Sequence, residues 1–151
     1  MRIAVLMLAG LLCACATPAE ESANPVQHSN SQSLPPPIAE TVSVRIGAEQ
    51  NGQNVRVNVG QTFAVALVGV PTAGYVWQVK ERPAFLEAAG EASGNTSAAQ
   101  SQPGFAGGSH WEVFNFRATQ AGSGALTLEQ RRPWETNEPP AQTFAVTIEA
   151  Q

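Results

Sequence analysis

From Thr41 to Glu149 the chain is built of short runs in which apolar and polar residues alternate, and this period of two constrains the fold more than any other feature. Val42, Val44 and Ile46 share one face, with Thr41, Ser43 and Arg45 on the other. Val55, Val57 and Val59 alternate with Arg56 and Asn58, and Phe144, Val146 and Ile148 form the inward set of a last strand over residues 143–149. Residues 62–68 are apolar on both faces, Phe63, Val65 and Leu67 alternating with Ala64, Ala66 and Val68, which predicts a central strand. Further runs cover Tyr75 to Lys80, Trp111 to Ala118 and Ala125 to Gln130, with one short strand at Phe85 to Ala88. No segment sustains the 3.6-residue apolar period of a helix.

Turn residues punctuate these runs. Asn51-Gly52 predicts a hairpin between the first two strands, because both residues tolerate positive φ. Pro83 limits the strand before it. Residues 89–109, mostly Gly, Ala, Ser, Gln and Asn, predict a long loop that stays mobile unless bound. The sum is an all-β fold, an immunoglobulin-like antiparallel β-sandwich of seven or eight strands with no disulfide.

The N-terminal end has a different character. Met1-Arg2 leads into an apolar run from Ile3 to Leu12, too short to span a bilayer and typical of a secretory signal. Leu12-Cys13-Ala14-Cys15 resembles a bacterial lipobox, with cleavage after residue 14 and Cys15 as the lipidated N-terminus. The alternative is an ordinary secretory signal with incidental cysteines. Residues 15–37, rich in Ala, Ser and Pro, predict a flexible tether with a root-mean-square reach of roughly 25 Å, and residues 38–151 the folded domain. With Ala16 after Cys15, the expectation is a lipid-anchored protein of the bacterial cell envelope, sorted to the outer membrane, its only membrane contact the lipid.

Composition excludes several functions. The formal charge is −4, and without residues 1–14 the domain carries 7 basic and 12 acidic residues, a poor surface for nucleic acid. Cys13 leaves with the signal and Cys15 becomes a thioether, so the mature domain keeps no thiol, and the sequence has no Asp. Its histidines are His28, in the tether, and His110, which reads as a solvated strand residue. Ser109 and His110 are neighbours and point to opposite faces of a strand, so they make no nucleophile and base pair. The expectation is no enzyme, no metal and no cofactor.

Three segments stand out from the strands: Gly69-Val70-Pro71-Thr72-Ala73-Gly74-Tyr75-Val76-Trp77, Gly104-Phe105-Ala106-Gly107-Gly108-Ser109-His110-Trp111 and Arg131-Arg132-Pro133-Trp134-Glu135. Each joins turn-forming Pro or Gly to an aromatic between β-like runs. Pro71 to Gly74 makes a turn whose tip carries only small side chains, with Tyr75 and Trp77 to anchor its base. Pro133 interrupts the ladder after Gln130, which leaves Trp134 either as an exposed binding residue or folded down as an edge plug with Arg132 stacked on it. The two arginines predict a locally basic edge.

In this order and spacing the three segments resemble the chagasin-like inhibitors of papain-family cysteine peptidases, which carry an Asn-Pro-Thr-Thr-Gly-Tyr/Phe loop, a glycine-rich loop and an Arg-Pro-Trp loop. The resemblance covers about residues 40–150 and departs at Val70 and Ala73, where the family has Asn and Thr. It implies a monomeric, reversible inhibitor that occludes the peptidase cleft. Pro71, Thr72, Ala73, Gly74 and Tyr75 would form the central loop, with Thr72 to Gly74 over the catalytic pair. Gly107 and Gly108 would meet one wall, and Arg132, Pro133 and Trp134 the other. The loop shape is expected to survive the two departures.

One rival reading is an immunoglobulin-like carbohydrate-binding or adhesion lipoprotein, with Tyr75, Trp111 and Trp134 as a sugar-stacking platform. Another is an envelope assembly factor that uses an open strand edge.

Overall fold

The structure, a computed structural model, describes residues 32–151. The signal segment 1–14, Cys15, His28 and the tether as far as Ser31 lie outside the described residues. Eight strands follow: β1 (Val44–Ile46), β2 (Asn54–Val57), β3 (Thr62–Gly69), β4 (Val76–Glu81), β5 (Leu86–Asn95), β6 (His110–Ala118), β7 (Gly122–Arg131) and β8 (Gln142–Ala150). They form two four-stranded sheets, ordered β1-β3-β6-β5 and β2-β8-β7-β4. This is the predicted immunoglobulin-like sandwich. Neighbouring strands are antiparallel except for β1 beside β3 and β2 beside β8, which run parallel.

The alternating residues supply the core. Phe63, Val65 and Leu67 of β3, with Phe114 and Phe116 of β6, pack against Leu126, Leu128, Phe144, Val146 and Ile148 of the facing sheet. Phe63 and Phe116 meet as a tilted pair with ring centroids 5.7 Å apart. Burying each such side chain contributes about 1.5–3 kcal/mol. The other face of β3 is covered as well: Ala64 and Ala66 lie with Val42 and Val113 in a second cluster, against which Ile38, Ala92 and Trp111 pack. That second layer explains why residues 62–68 are apolar on both sides.

Residues 32–37, at the end of the expected tether, lie on the sandwich. The Leu34 amide donates to Thr96 O at 2.8 Å, the Ala98 amide to Gln32 O at 3.0 Å, and Trp111 Nε1 to Leu34 O at 2.8 Å.

Two local expectations are corrected. Asn51-Gly52 does not close a hairpin, because β1 and β2 belong to different sheets. Gly52 does take a positive φ of 77°, but the turn docks on β8, with Asn51 Oδ1 accepting the Ala145 amide at 2.8 Å and the Gly52 amide donating to Ala145 O at 2.7 Å. Residues 89–109 are not one long loop. β5 runs on to Asn95, and a short 3-10 turn spans Ala98–Ser101. β5 is an edge strand of small residues, held by its backbone ladder to β6 and largely exposed, so it buries no alternating apolar set that a pattern could reveal.

With no cysteine among the described residues, side-chain hydrogen bonds join the two sheets at one end. Trp77 Nε1 and Gln130 Nε2 both donate to Val68 O, at 3.0 and 3.2 Å. Glu112 Oε2 accepts the Trp77 amide at 2.9 Å. β3 and β5 both run antiparallel to β6, and β7 runs antiparallel to β4 and β8. Chain direction therefore sends the connections β3–β4, β5–β6 and β7–β8 out at one end of the sandwich. These connections are the three segments singled out in the sequence.

Candidate functional site

The central loop is closed by its own backbone. Val70 and Tyr75 exchange hydrogen bonds, at 2.9 Å from the Val70 amide and 3.2 Å from the Tyr75 amide. Between them Pro71–Ala73 form a single 3-10 turn, and Gly74 ends it with φ 83°. The Ala73 amide donates to Val70 O and the Gly74 amide to Pro71 O, both at 2.9 Å. Val70 offers no side-chain cap, and the loop keeps its shape through main-chain bonds. Thr72, Ala73 and Gly74 project from a narrow turn whose base is set by buried Trp77.

Arg132 ties the third loop to this turn. Its Nε donates to Ala73 O at 3.0 Å, its guanidinium lies 4.6 Å from the centroid of the Tyr75 ring, and its Nη1 bonds Glu135 Oε1 at 2.9 Å. The predicted Arg132 stack exists, but on Tyr75 rather than on Trp134. Trp134 is 67% exposed and is no edge plug. Its ring edge lies against Gly74, so closely that a Cβ at residue 74 would overlap it. Pro133 stands exposed beside it.

The glycine-rich loop closes the other flank. Thr72 Oγ1 reaches Gly108 O at 3.5 Å, and Gly107 and Gly108 have φ of 85° and 99°. The loop is braced from behind by Gln100. Its Oε1 accepts the amides of Thr96 and Ser97 at 2.7 and 2.9 Å, while its Nε2 donates to Ser109 O at 2.7 Å. All ten residues of the predicted edge, Pro71 to Tyr75, Gly107, Gly108 and Arg132 to Trp134, thus lie at one end of the sandwich, with the central turn touching both neighbours.

Three expectations change. The edge is not strongly basic, since Arg131 pairs with Glu129 at 2.8 Å and Arg132 with Glu135 at 2.9 Å. The three aromatics make no shared platform: Trp111 lies on the outer face of its sheet against the 32–38 segment, Tyr75 is under the Arg132 guanidinium, and only Trp134 is open. His110 is no solvated strand residue, because its Nδ1 is buried without a hydrogen-bond partner.

Sequence reasoning missed Gln100 and Glu112 as parts of this end, and gave Phe105, within the glycine-rich segment, no contact of its own. Ser97-Ala98-Ala99-Gln100 carries the capping-box spacing that could have located the 3-10 turn and its Gln. Phe105 is 45% exposed and gives the glycine-rich flank an apolar contact, as Trp134 does opposite. Glu112 interrupts an otherwise apolar inner face, a signal visible in the alternation of β6.

Comparisons with known proteins give the family and the fold. Residues 56–148 match the family described as Chagasin family peptidase inhibitor I42. No curated protein matches the chain. Among solved structures, the chain is similar to the cysteine protease inhibitor EhICP2 from Entamoeba histolytica, with a TM-score of 0.62 and 14% identity over 72% of this chain and 95% of that one. It is also similar to Amebosin, whose solution structure gives a TM-score of 0.50 and 26% identity over 72% of this chain and 97% of that one.

Proposed function

Because the chain belongs to the chagasin family of peptidase inhibitors, we propose that its three-loop edge fills the active-site cleft of a papain-family cysteine peptidase, reversibly and without being cut. The protein is a peptidase inhibitor and not an enzyme. One observation carries the reading of the edge: the Pro71–Gly74 turn stands between Arg132 and Trp134 on one side and Gly108 on the other, bonded to both.

That geometry suits occlusion. The tip presents Thr72, Ala73 and Gly74, small enough for main chain to approach a catalytic thiolate in a narrow cleft. A 3-10 turn ending in left-handed Gly74 holds its peptide bonds away from the extended conformation in which a cleft binds substrate. The bonds to Arg132 and Gly108 form within the free protein, so little backbone freedom is lost on docking. Gly107, Gly108 and Phe105 would meet one wall of the cleft, and Arg132, Pro133 and Trp134 the other. Exposed Trp134 beside Arg132 has the composition of a binding hot spot.

The test is a titration of the purified protein into papain and a cathepsin L-like enzyme with a fluorogenic substrate, trypsin serving as control. Loss of cysteine-peptidase activity that recovers on dilution, with the inhibitor intact by mass, supports the reading. A folded protein that leaves both cysteine peptidases active at micromolar concentration overturns it.

Placement in the cell is part of the proposal. Leu12-Cys13-Ala14-Cys15 supports lipidation at Cys15, and Ala16 after it supports an outer-membrane site. Mass spectrometry of the mature N-terminal peptide would find a lipid on Cys15, or refute the anchor by finding a free or differently cleaved terminus.

A further inference from the structure

Beneath the central loop lies a carboxylate that the inhibitory edge does not itself present. Glu112 sits on β6 opposite Leu67 of β3, a position that points it between the sheets among apolar neighbours. One oxygen, Oε2, accepts the Trp77 amide at 2.9 Å. The other, Oε1, is buried without a partner and occupies the space above Gly69, where a Cβ would overlap it. Gly69 is the last residue of β3 before the loop, and Trp77 the second residue of β4 after it. The carboxylate thus bridges the two stems of the loop at its neck.

We propose that Glu112 is a positioning residue of the inhibitory edge, its carboxylate wedged between Gly69 and the Trp77 amide so that the Pro71–Gly74 turn is held at one height and angle. The proposal rests on the inhibitory reading of that turn. A neutral acceptor would keep the shape but weaken the grip, since hydrogen bonds to an ionised carboxylate are roughly twice as strong as neutral ones.

The surroundings make the grip depend on pH. Burial raises the Glu112 carboxyl above its ordinary range, the Trp77 amide pulls it back, Glu91 on β5 raises it further and His110 on β6 lowers it. The groups meeting it from β3 and β4, Gly69 and the Trp77 amide, carry no charge. The carboxylate therefore takes up its proton at a higher pH than an ordinary glutamate does, and the neck loosens as it does so. Fold stability moves the opposite way. A carboxyl held above its unfolded value favours the fold below that unfolded value, and the advantage is lost as pH rises through the folded one. Glu112→Gln, neutral at every pH, should therefore melt no lower than the native protein at pH 7.5 while holding the loop less firmly.

The experiment has two arms, and the first needs no peptidase. Amide exchange and ¹H–¹⁵N shifts of Trp77 and Gly74 are followed from pH 4.5 to 7.5 in the native protein, Glu112→Gln and Gly69→Ala, whose added methyl displaces the carboxylate. Expected are a pH-dependent Trp77 shift in the native protein alone, and exchange at Trp77 about tenfold faster in both variants at pH 7.5, the factor that ~1.4 kcal/mol of lost grip produces. In the second arm the inhibition constant of Glu112→Gln, divided by the native value at each pH to cancel the peptidase's own titration, is about ten at pH 7.5 and falls towards one at pH 4.5. A Trp77 amide whose shift and exchange are the same in all three proteins overturns the assignment, whether or not any peptidase is inhibited. A ratio that stays at one throughout, with the native protein inhibiting, also overturns it. Absence of inhibition by the native protein counts against the inhibitor reading alone and leaves the first arm to decide.

Discussion

Trp134 lies over Gly74 so closely that any side chain at residue 74 would strike the indole ring. Gly74 also takes φ 83°, a conformation that L residues adopt at a cost. The two residues belong to different loops and different strand connections, and their contact makes one surface of the pair. Gly74→Ala should raise the inhibition constant at least tenfold, roughly what Trp134→Ala does as the loss of an exposed aromatic anchor. Because both changes break the same contact, the double variant should inhibit much better than the product of the single effects predicts. Simple multiplication of the two effects, measured in a double-mutant cycle, would show that the contact is incidental.

Arg132 makes three contacts at once, with Ala73 O, the Tyr75 ring and Glu135. A lysine has one point charge and no planar fork, so it cannot reproduce the set. Arg132→Lys is expected to lose most of the affinity that Arg132→Ala loses, about tenfold or more, with a melting temperature close to native in both. Full inhibition by the lysine variant would mean that charge alone matters at residue 132.

The sequence made the sandwich legible because its inward residues alternate: Phe144, Val146 and Ile148 face the core as the pattern requires. It also showed the three loops, whose Pro and Gly residues have few other uses at those positions. What it hid has physical reasons. β5 is held by backbone pairing at a sheet edge, and its Ala, Gly and Ser residues leave no hydrophobic trace. Asn51-Gly52 forms the turn its chemistry favours, but local turn chemistry cannot say that β1 and β2 enter different sheets. The pairing of Arg131 with Glu129, and of Arg132 with Glu135, depends on side-chain direction, so residue counts gave the edge a charge it does not keep.

Gln100 should matter to binding without touching the target. It accepts the Thr96 and Ser97 amides and donates to Ser109 O, next to Gly108. Gln100→Ala leaves these groups to water and should loosen the glycine-rich loop. Amide exchange at Thr96 and Ser97 is expected to quicken about fivefold, since a net hydrogen bond contributes ~1 kcal/mol, and inhibition to weaken several-fold. Unchanged exchange would show that the loop is braced elsewhere.

Phe116 tests the sandwich rather than the edge. It is 2% exposed and packed against Phe63 as a tilted pair in the core, so Phe116→Ala should cost about 3–5 kcal/mol in urea unfolding. At low denaturant the folded fraction should still inhibit with near-native affinity, because the loops are not touched. Loss below 1 kcal/mol would place the core elsewhere.

The central claim, that the three-loop edge fills the cleft over the catalytic centre, is tested most directly by the peptidase's own active-site thiol. Papain saturated with the protein is treated with a small alkylating reagent, and the rate at which the catalytic cysteine is modified is compared with that of the free enzyme. Occlusion by the Pro71–Gly74 turn predicts that alkylation slows in proportion to occupancy and returns to the free rate on dilution. Alkylation at the free rate in a complex that no longer cleaves protein substrates would contradict it, and would move the contact away from the catalytic centre.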